Sequence, residues 1–132
     1  MKRLFSLFLA AFFLCLSLLS LSACGGVSGT YVSESGLLTY EFSARELVAS
    51  DSYTEFDTVY SYKIEKNGGT RYILLTLKEY RYDGENTAVA AYVDAQNEAL
   101  KGKEQAATRH YFANTEDGEN LEIGEIVFTR QD

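Results

Sequence analysis

Side chains suited to catalysis are few in this 132-residue sequence. His110 is the single histidine, so neither a histidine-based metal site nor an imidazole proton relay has a second member. The carboxylates of Glu116 and Asp117 could act as acid and base, but they stand in a Glu-Asp-Gly turn, where solvated charges are ordinary. The sequence contains no Gly-x-Ser-x-Gly, phosphate-binding glycine loop or His-Glu-x-x-His motif. We therefore expect a protein that is not an enzyme and that has no metal or cofactor.

The tetrapeptide Asp-Gly-Glu-Asn occurs twice, at Asp83–Asn86 and at Asp117–Asn120. Its oxygen atoms are of the kind that Ca²⁺ prefers, but a helix-loop-helix calcium site needs alternating ligands over about twelve residues and a final glutamate. Neither copy extends in that way. The sequence therefore predicts two turns that form for backbone reasons.

The N-terminal segment has the order of an export signal. A basic start, Met1-Lys2-Arg3, precedes an apolar run from Leu4 to Leu19, and Leu21-Ser22-Ala23-Cys24 follows. An uncleaved membrane anchor is the alternative, because such a run could just span a bilayer. The tetrapeptide resembles the lipobox of bacterial lipoproteins, in which the cysteine receives a diacylglyceryl group and the peptidase then cuts before it.

This resemblance implies a signal peptide over residues 1–23, a lipidated tether over residues 24–28 and a folded domain over residues 29–132. Lipid on Cys24 would hold the protein in the cell envelope, on the outer face of the cytoplasmic membrane. Since residue 25 is a glycine and not an aspartate, an organism with two membranes would send this protein to the outer membrane. Two or three acyl chains, at about 0.8 kcal/mol per buried methylene, give a lasting attachment that one chain does not.

The charge and cysteine content restrict the partners of the mature domain. Loss of Lys2 and Arg3 lowers the formal net charge by two, from −7 to −9. Such a field repels nucleic acid and attracts basic proteins or cations, so we expect no nucleic-acid partner. The two cysteines are Cys15, in the signal, and Cys24, so the mature chain can form no disulfide. We expect a monomer that is held at the membrane by the Cys24 lipid.

Alternating apolar and polar residues predict a mostly β domain. Tyr60, Tyr62 and Ile64, for example, would share one face of a strand. The following Lys66-Asn67-Gly68-Gly69 predicts a tight hairpin turn, because its glycines accept positive φ angles. Eight strands are predicted, at residues 29–32, 38–42, 45–49, 59–65, 71–82, 109–113, 120–123 and 125–130.

The Ala-rich segment Thr87–Lys101 predicts a helix, with Asn86 as its N-cap and Gly102 after its end. The inward stripe is expected to comprise Val89, Tyr92, Val93 and Leu100, and the solvent face Asp94, Asn97, Glu98 and Lys101. A helix of this kind would cover one end of the sheet as a lid. The alternative makes Ala88–Val93 a strand.

Ten tyrosines and eight phenylalanines, with no tryptophan, form the aromatic content. Tyrosine is common in β-strands because its ring packs on the sheet while its hydroxyl reaches water or a hydrogen-bond partner, and this is its ordinary structural role. The same rings could also contact a carbohydrate or apolar ligand. The candidate ligand-binding residues are Tyr40, Tyr60, Tyr62 and Tyr92.

The layout of these strands resembles the small lipocalin-like domains of bacterial lipoproteins. The resemblance is carried by Gly29-Thr30-Tyr31, Tyr40-Glu41-Phe42, Tyr60-Ser61-Tyr62-Lys63-Ile64 before the glycine turn, and Asn120-Leu121-Glu122-Ile123-Gly124 before the last strand. It implies an antiparallel meander that closes into a small barrel of about eight strands, with one inserted α-helix. The helix is a departure from the plain meander.

Two functions are compatible with this reading. The first is a non-enzymatic binding module for a small apolar or amphipathic ligand, held in the barrel or at its mouth under the helix. The alternative is an envelope protein that binds a basic protein partner through its acidic surface. Fold resemblance alone does not choose between them.

Overall fold

A computed structural model describes residues 27–131 of the chain. The expected signal peptide, Cys24 and the first part of the tether lie outside the described residues. Eight strands and one helix follow in this order: β1 (Gly29–Ser33), β2 (Leu38–Phe42), β3 (Glu46–Asp51), β4 (Asp57–Asn67), β5 (Thr70–Arg81), α1 (Thr87–Leu100), β6 (Thr108–Asn114), β7 (Asn120–Ile123) and β8 (Ile126–Arg130).

The strands form one closed antiparallel barrel in which each strand pairs with the next along the chain. Closure is made between β1 and β8, where Tyr31 lies opposite Arg130 and Ser33 lies opposite Phe128. Tyr31 also faces Tyr40 on the other side, in β2. The expected fold, an eight-stranded antiparallel barrel of lipocalin-like layout with one inserted helix, is therefore confirmed.

The β4–β5 hairpin is the longest pairing in the barrel, and its turn is the predicted one. Asn67 pairs with Thr70 across Gly68 and Gly69, whose φ angles are 61° and 88°. Two successive positive φ angles define the type I′ geometry that matches the twist of paired strands. The register of the hairpin shifts between Val59 and Tyr60 near the start of β4.

The barrel has two ends that differ in what covers them. The connections after β1, β3, β5 and β7 lie at one end, together with α1, and we call this the helix end. The connections after β2, β4 and β6 lie at the opposite end, where the chain enters through Val27, and we call this the tether end.

The core lies inside the barrel and contains both aliphatic and aromatic side chains. Its fully buried side chains include Leu47, Ile73, Phe112, Leu121 and Phe128. Each such side chain stabilises the fold by roughly 1.5 to 3 kcal/mol relative to an exposed one.

The predicted helix is present, and its ends agree with the sequence. Asn86 is its N-cap and accepts hydrogen bonds from the backbone N–H groups of Ala88 and Val89, and the helix ends at Leu100. Its orientation differs from the expectation: Val93 is buried, but Tyr92 is 53% exposed.

Asn97, which was expected in solvent, instead contacts β5. Strand β6 pairs with β5 only from Arg71 to Leu75, so the last part of β5 has a free edge on that side. Helix α1 packs there, and Asn97 bonds the backbone of Tyr80. The buried face of the helix is therefore rotated away from Tyr92 and towards Asn97, because the strand edge offers polar partners.

Candidate functional site

The four tyrosines expected to bind a ligand do not share one site. Tyr40, Tyr60 and Tyr62 pack against the core inside the barrel. Tyr92 lies on α1 and faces solvent with about half of its surface. The structure brings three of the four together and places the fourth at the helix end.

Aromatic rings occupy the middle of the barrel. The ring of Tyr40 stacks on Phe128, with 4.5 Å between centroids and 25° between planes. Phe42 makes edge-to-face contacts with Tyr31 at 5.9 Å and with Tyr62 at 5.4 Å. An eight-stranded barrel is just wide enough for side chains to fill it, and these rings are among the side chains that pack in the interior of this one.

The interior phenols are held in their neutral form. Burial raises the pKa of Tyr40, and the neighbouring phenol of Tyr60 raises it further. Burial raises the pKa of Tyr60 too, with a smaller contribution from Tyr80. For Tyr62 burial raises the pKa, and the hydrogen bond from the backbone of Val27 partly opposes the rise. These three side chains therefore act as apolar rings with neutral hydroxyls, not as acid or base groups.

The hydroxyl of Tyr62 connects the tether to the barrel. It accepts a hydrogen bond from the N–H of Val27 at 3.1 Å, and the carbonyl oxygens of Ser43 at 2.7 Å and of Val27 at 3.0 Å lie within reach of its proton. Val27 itself is only 9% exposed and belongs to the core cluster. Val27, within the segment expected to be a tether, is thus packed against the barrel core.

An open groove lies at the helix end, between the β3–β4 loop and the first turns of α1. Its volume is about 470 Å³. Three aromatic side chains, Tyr53, Phe56 and Tyr92, are gathered in it. The remaining lining residues are Thr54, Glu55, Asn86, Ala88 and Val89.

Asp51 shapes the loop side of the groove. One of its carboxylate oxygens accepts hydrogen bonds from the backbone N–H groups of Tyr53 and Thr54, each at 2.8 Å, and from the Thr54 hydroxyl at 3.1 Å. These bonds lower the pKa of the Asp51 carboxyl. The loop backbone is thereby fixed, although the ring of Tyr53 is 82% exposed.

Aromatic contacts join the loop to the helix. Phe56 meets Tyr80 of β5 edge to face at 5.6 Å and lies 5.7 Å from Tyr92 of α1, with 42° between the two planes. Tyr82 supports the helix start, since its hydroxyl accepts the N–H of Asn86 at 2.9 Å. Its ring lies so close to Gly84 that a Cβ there would be 2.3 Å from the Tyr82 oxygen, so any larger residue at position 84 would force the Tyr82 ring to move.

The charge around the groove is negative. Glu55 is the only ionisable carboxylate in its lining, and no lysine or arginine is among the lining residues described. The exposed carboxylates Asp83 and Glu85 stand just before Asn86. Arg81 is nearby in sequence, but it is paired with Glu79 at 2.9 Å. The groove therefore combines three aromatic side chains with one carboxylate, that of Glu55, in its lining.

A second open cavity, of about 460 Å³, lies on the outer face of β6, β7 and β8. It contains no aromatic side chain among its lining residues, which are Glu34, Ala113, Asn114, Thr115, Asn120, Leu121, Glu122, Val127 and Thr129. The groove at the helix end is the better candidate for recognition, because aromatic rings supply contact area at little entropic cost.

Within residues 27–131 there is no group of three or more histidine, cysteine, aspartate or glutamate side chains that could hold a metal ion. The second Asp-Gly-Glu-Asn segment is a turn: Gly118 has a φ of 72°, and Asp117 accepts the N–H of Glu119 at 3.0 Å. In the same part of the chain, no helix has both the length and the apolar character needed to cross a bilayer.

The sequence did not single out Tyr53 and Phe56. Both lie in a loop, where neither a period of two nor a helical period marks them. The available signal was the occurrence of two aromatic residues in an otherwise polar segment, Asp51-Ser52-Tyr53-Thr54-Glu55-Phe56-Asp57. Large aromatic rings in a solvated loop expose apolar surface to water unless they pack against another part of the protein or bind a partner.

Fold and site together define a closed up-and-down β-barrel with an aromatic groove at its helix end. No family model, no curated protein and no solved structure matches the chain.

Proposed function

We propose that this chain is a lipoprotein, anchored outside the cytoplasmic membrane, that binds a small apolar or amphipathic ligand without changing it chemically. The observation that carries the binding role is the groove that gathers Tyr53, Phe56 and Tyr92. Its volume of about 470 Å³ falls in the usual range for small-molecule sites, roughly 300 to 1,000 Å³. The ligand is thus assigned to the helix end and not to the interior tyrosines.

The anchor rests on the Leu21-Ser22-Ala23-Cys24 tetrapeptide after a basic and apolar segment. The position of Val27 supports a short attachment. Cys24 precedes Val27 by three residues, so an extended chain separates their Cα atoms by at most about 11 Å. With Val27 bound to Tyr62, the tether end of the barrel would rest close to the lipid headgroups.

This arrangement would direct the groove away from the membrane. The groove is formed by the β3–β4 loop and α1, which lie at the end of the barrel opposite Val27. The Glu55 carboxylate in its lining would also be repelled by an anionic lipid surface. A ligand arriving from outside the cell would therefore meet an unobstructed site.

A binding role suits the groove better than catalysis does. Its lining contains neither imidazole nor thiol. The Thr54 hydroxyl lies within 3.1 Å of both the Asp51 carboxylate and the carbonyl oxygen of Phe56, so it is already committed. Glu55 alone provides no acid and base pair.

The acidic surface favours a second candidate function, the binding of a basic protein. The formal net charge of −7 becomes −9 without Lys2 and Arg3, and carboxylates border the groove. Complementary charge would speed the association with a basic partner and make it sensitive to salt. The aromatic groove, however, has the dimensions of a small-molecule site, and for that reason we place the ligand first.

The anchor is tested by replacing the cysteine. Cys24→Ala should abolish the uptake of labelled palmitate, because the thioether is the proposed membrane attachment once the signal is removed. Cys15→Ala is the matched control and should leave labelling intact. Labelled, membrane-bound Cys24→Ala protein would refute the anchor.

The binding site is tested with a neutral amphipathic probe, 3,3-dimethylbutan-1-ol. Titrated into the lipidated protein in nonionic detergent micelles, it should shift the amide resonances of the β3–β4 loop and of the first turn of α1. Tyr92→Ala should weaken these shifts, whereas Tyr111→Ala, at an exposed tyrosine on β6, should not. Shifts confined to the strands around Tyr40 and Tyr60 would return the ligand to the barrel interior and refute the groove.

A further inference from the structure

We infer that the groove selects a small organic ammonium ion, so that the ligand's apolar part carries a positive charge. This inference rests on the proposed function and specifies its ligand class. Two independent features of the groove support it, namely the arrangement of its rings and the sign of its charge.

Three aromatic rings line the groove. Phe56 and Tyr92 lie 5.7 Å apart and are tilted by 42°, so these two rings are not stacked on each other, and Phe56 also meets Tyr80 edge to face. Tyr53 belongs to the same lining and is 82% exposed. Aromatic faces attract cations within about 6 Å, and cages of such rings are the usual receptors of quaternary ammonium groups.

The charged groups favour the same ligand. Glu55 lines the groove, no basic side chain lies in its described lining, and Asp83 and Glu85 flank the start of the helix. Arg81, which lies opposite Asp57 across β4 and β5, is paired with Glu79 and also interacts electrostatically with Asp83. In the lining itself Glu55 has no basic side chain beside it, so its carboxylate would repel an anionic ligand and stabilise an ammonium ion.

The N-terminus of α1 does not reverse this preference. The start of a helix favours anions because its first N–H groups are unpaired. Here the side-chain oxygen of Asn86 already accepts the N–H groups of Ala88 at 3.0 Å and Val89 at 3.3 Å. These donors are therefore not available to an anion in the groove.

The size and place of the groove favour a free small molecule over a larger source of ammonium. About 470 Å³ accommodates an amphipathic ammonium compound as a whole. Lipid headgroups of the protein's own membrane would lie at the tether end, on the opposite side of the barrel.

Three isosteric probes test the inference: choline, neutral 3,3-dimethylbutan-1-ol and anionic 3,3-dimethylbutyrate. Each is titrated into the lipidated protein in nonionic micelles and followed by amide shifts. Choline should bind at least about tenfold more tightly than the neutral isostere, which corresponds to about 1.4 kcal/mol. The anion should bind more weakly than either of the others.

Variants separate the ring effect from simple apolar contact. Phe56→Leu should weaken choline binding more than it weakens the binding of the neutral probe, and so remove most of the preference for choline. Tyr92→Phe should preserve that preference, because the ring face remains. Glu55→Gln should weaken choline binding severalfold and leave the neutral probe unaffected, and Tyr111→Ala should alter neither.

The possible outcomes distinguish this inference from the proposed function. Equal affinity for choline and its neutral isostere, lost together in Tyr92→Ala, would overturn the ammonium preference and leave the groove as a ligand site. Tighter binding of the anion would overturn it too. A trilysine peptide that bound more tightly than choline would assign the groove to a basic protein. If no probe shifted the groove amides, both proposals would fail.

Discussion

The side-chain amide of Asn97 bonds both backbone groups of Tyr80. Its oxygen accepts the Tyr80 N–H at 2.8 Å, and its nitrogen donates to the Tyr80 carbonyl at 2.9 Å. One residue of α1 thus takes the place of the missing strand at the edge of β5. Because Tyr80 also contacts Phe56, the bonds between Asn97 and Tyr80 connect the helix to a ring that lines the groove.

Replacing Asn97 should therefore loosen the helix. Asn97→Ala leaves two backbone groups of Tyr80 unpaired, and we expect a loss of about 1 to 3 kcal/mol in the free energy of unfolding. The measurement is denaturant unfolding, with faster hydrogen exchange at the Tyr80 amide. Asp94→Ala, at an exposed position on the same helix, should change stability by less than about 0.5 kcal/mol. Equal effects of the two variants would contradict this role.

Asp51 should control the shape of the groove more than the stability of the barrel. Asp51→Ala removes the acceptor of three hydrogen bonds in the loop, so we expect Tyr53 and Phe56 to move and probe binding to weaken. Asp51→Asn keeps an acceptor oxygen and should retain binding at neutral pH. The measurement is the amide-shift titration described above, and unchanged binding in Asp51→Ala would show that the loop is held in another way.

Because the pKa of Asp51 is lowered by its hydrogen bonds in the β3–β4 loop, we expect this loop to lose order in acid. The pKa of Asp51 is lowered in the folded state, so its contribution is present above the ordinary aspartate pKa and disappears as the pH falls through the lowered value. The loop amides of Tyr53 and Thr54 should lose protection from exchange in that acidic range. Asp51→Asn, which does not titrate, should show no such transition.

The buried phenols of Tyr40 and Tyr60 should make the stability of the barrel fall at high pH. The pKa values of Tyr40 and Tyr60 are raised, so their contribution is complete below the ordinary tyrosine pKa of about 10 and is lost as the pH rises through the raised values. Melting temperatures should therefore begin to fall only as the pH rises above about 10. Tyr40→Phe should reduce that fall, whereas Tyr53→Phe, at an exposed position, should leave it unchanged.

The hydroxyl of Tyr62 should determine how firmly the tether is held. Tyr62→Phe keeps the ring contact with Phe42 but removes the hydrogen bonds to Val27 and Ser43. We expect a loss of about 0.5 to 1.5 kcal/mol per bond and faster exchange of the Val27 amide. Tyr111→Phe is the matched control. An unchanged Val27 amide would show that packing alone holds the segment.

Much of the barrel was predictable because its strands follow a simple period. The alternation of Tyr60, Tyr62 and Ile64 specified an inward face, and Gly68 and Gly69 specified a turn that requires positive φ angles. These features depend on local backbone geometry, which sequence patterns describe directly.

The candidate site was less predictable because it depends on contacts between distant segments. Tyr92 was expected on the buried face of the helix and Asn97 on its solvent face. The structure instead exposes Tyr92 and turns Asn97 towards the barrel, because the free edge of β5 offers hydrogen bonds to Asn97. Phe56 becomes part of a groove only when its loop meets α1. Neither relationship leaves a periodic signal in the chain.

The order of the strands has a consequence for how the chain folds. Seven pairings join consecutive strands and can form one after another, each with a short connection or the helix between its members. The eighth, between β1 and β8, joins the two ends of the described chain and bears the largest loop-closure entropy, which grows with the logarithm of loop length. Until it forms, β1 and β8 are open edges that can pair with another molecule. Slow closure, not marginal stability, would then be the source of any aggregation during folding, and substitutions in β8 should act mainly on the folding rate.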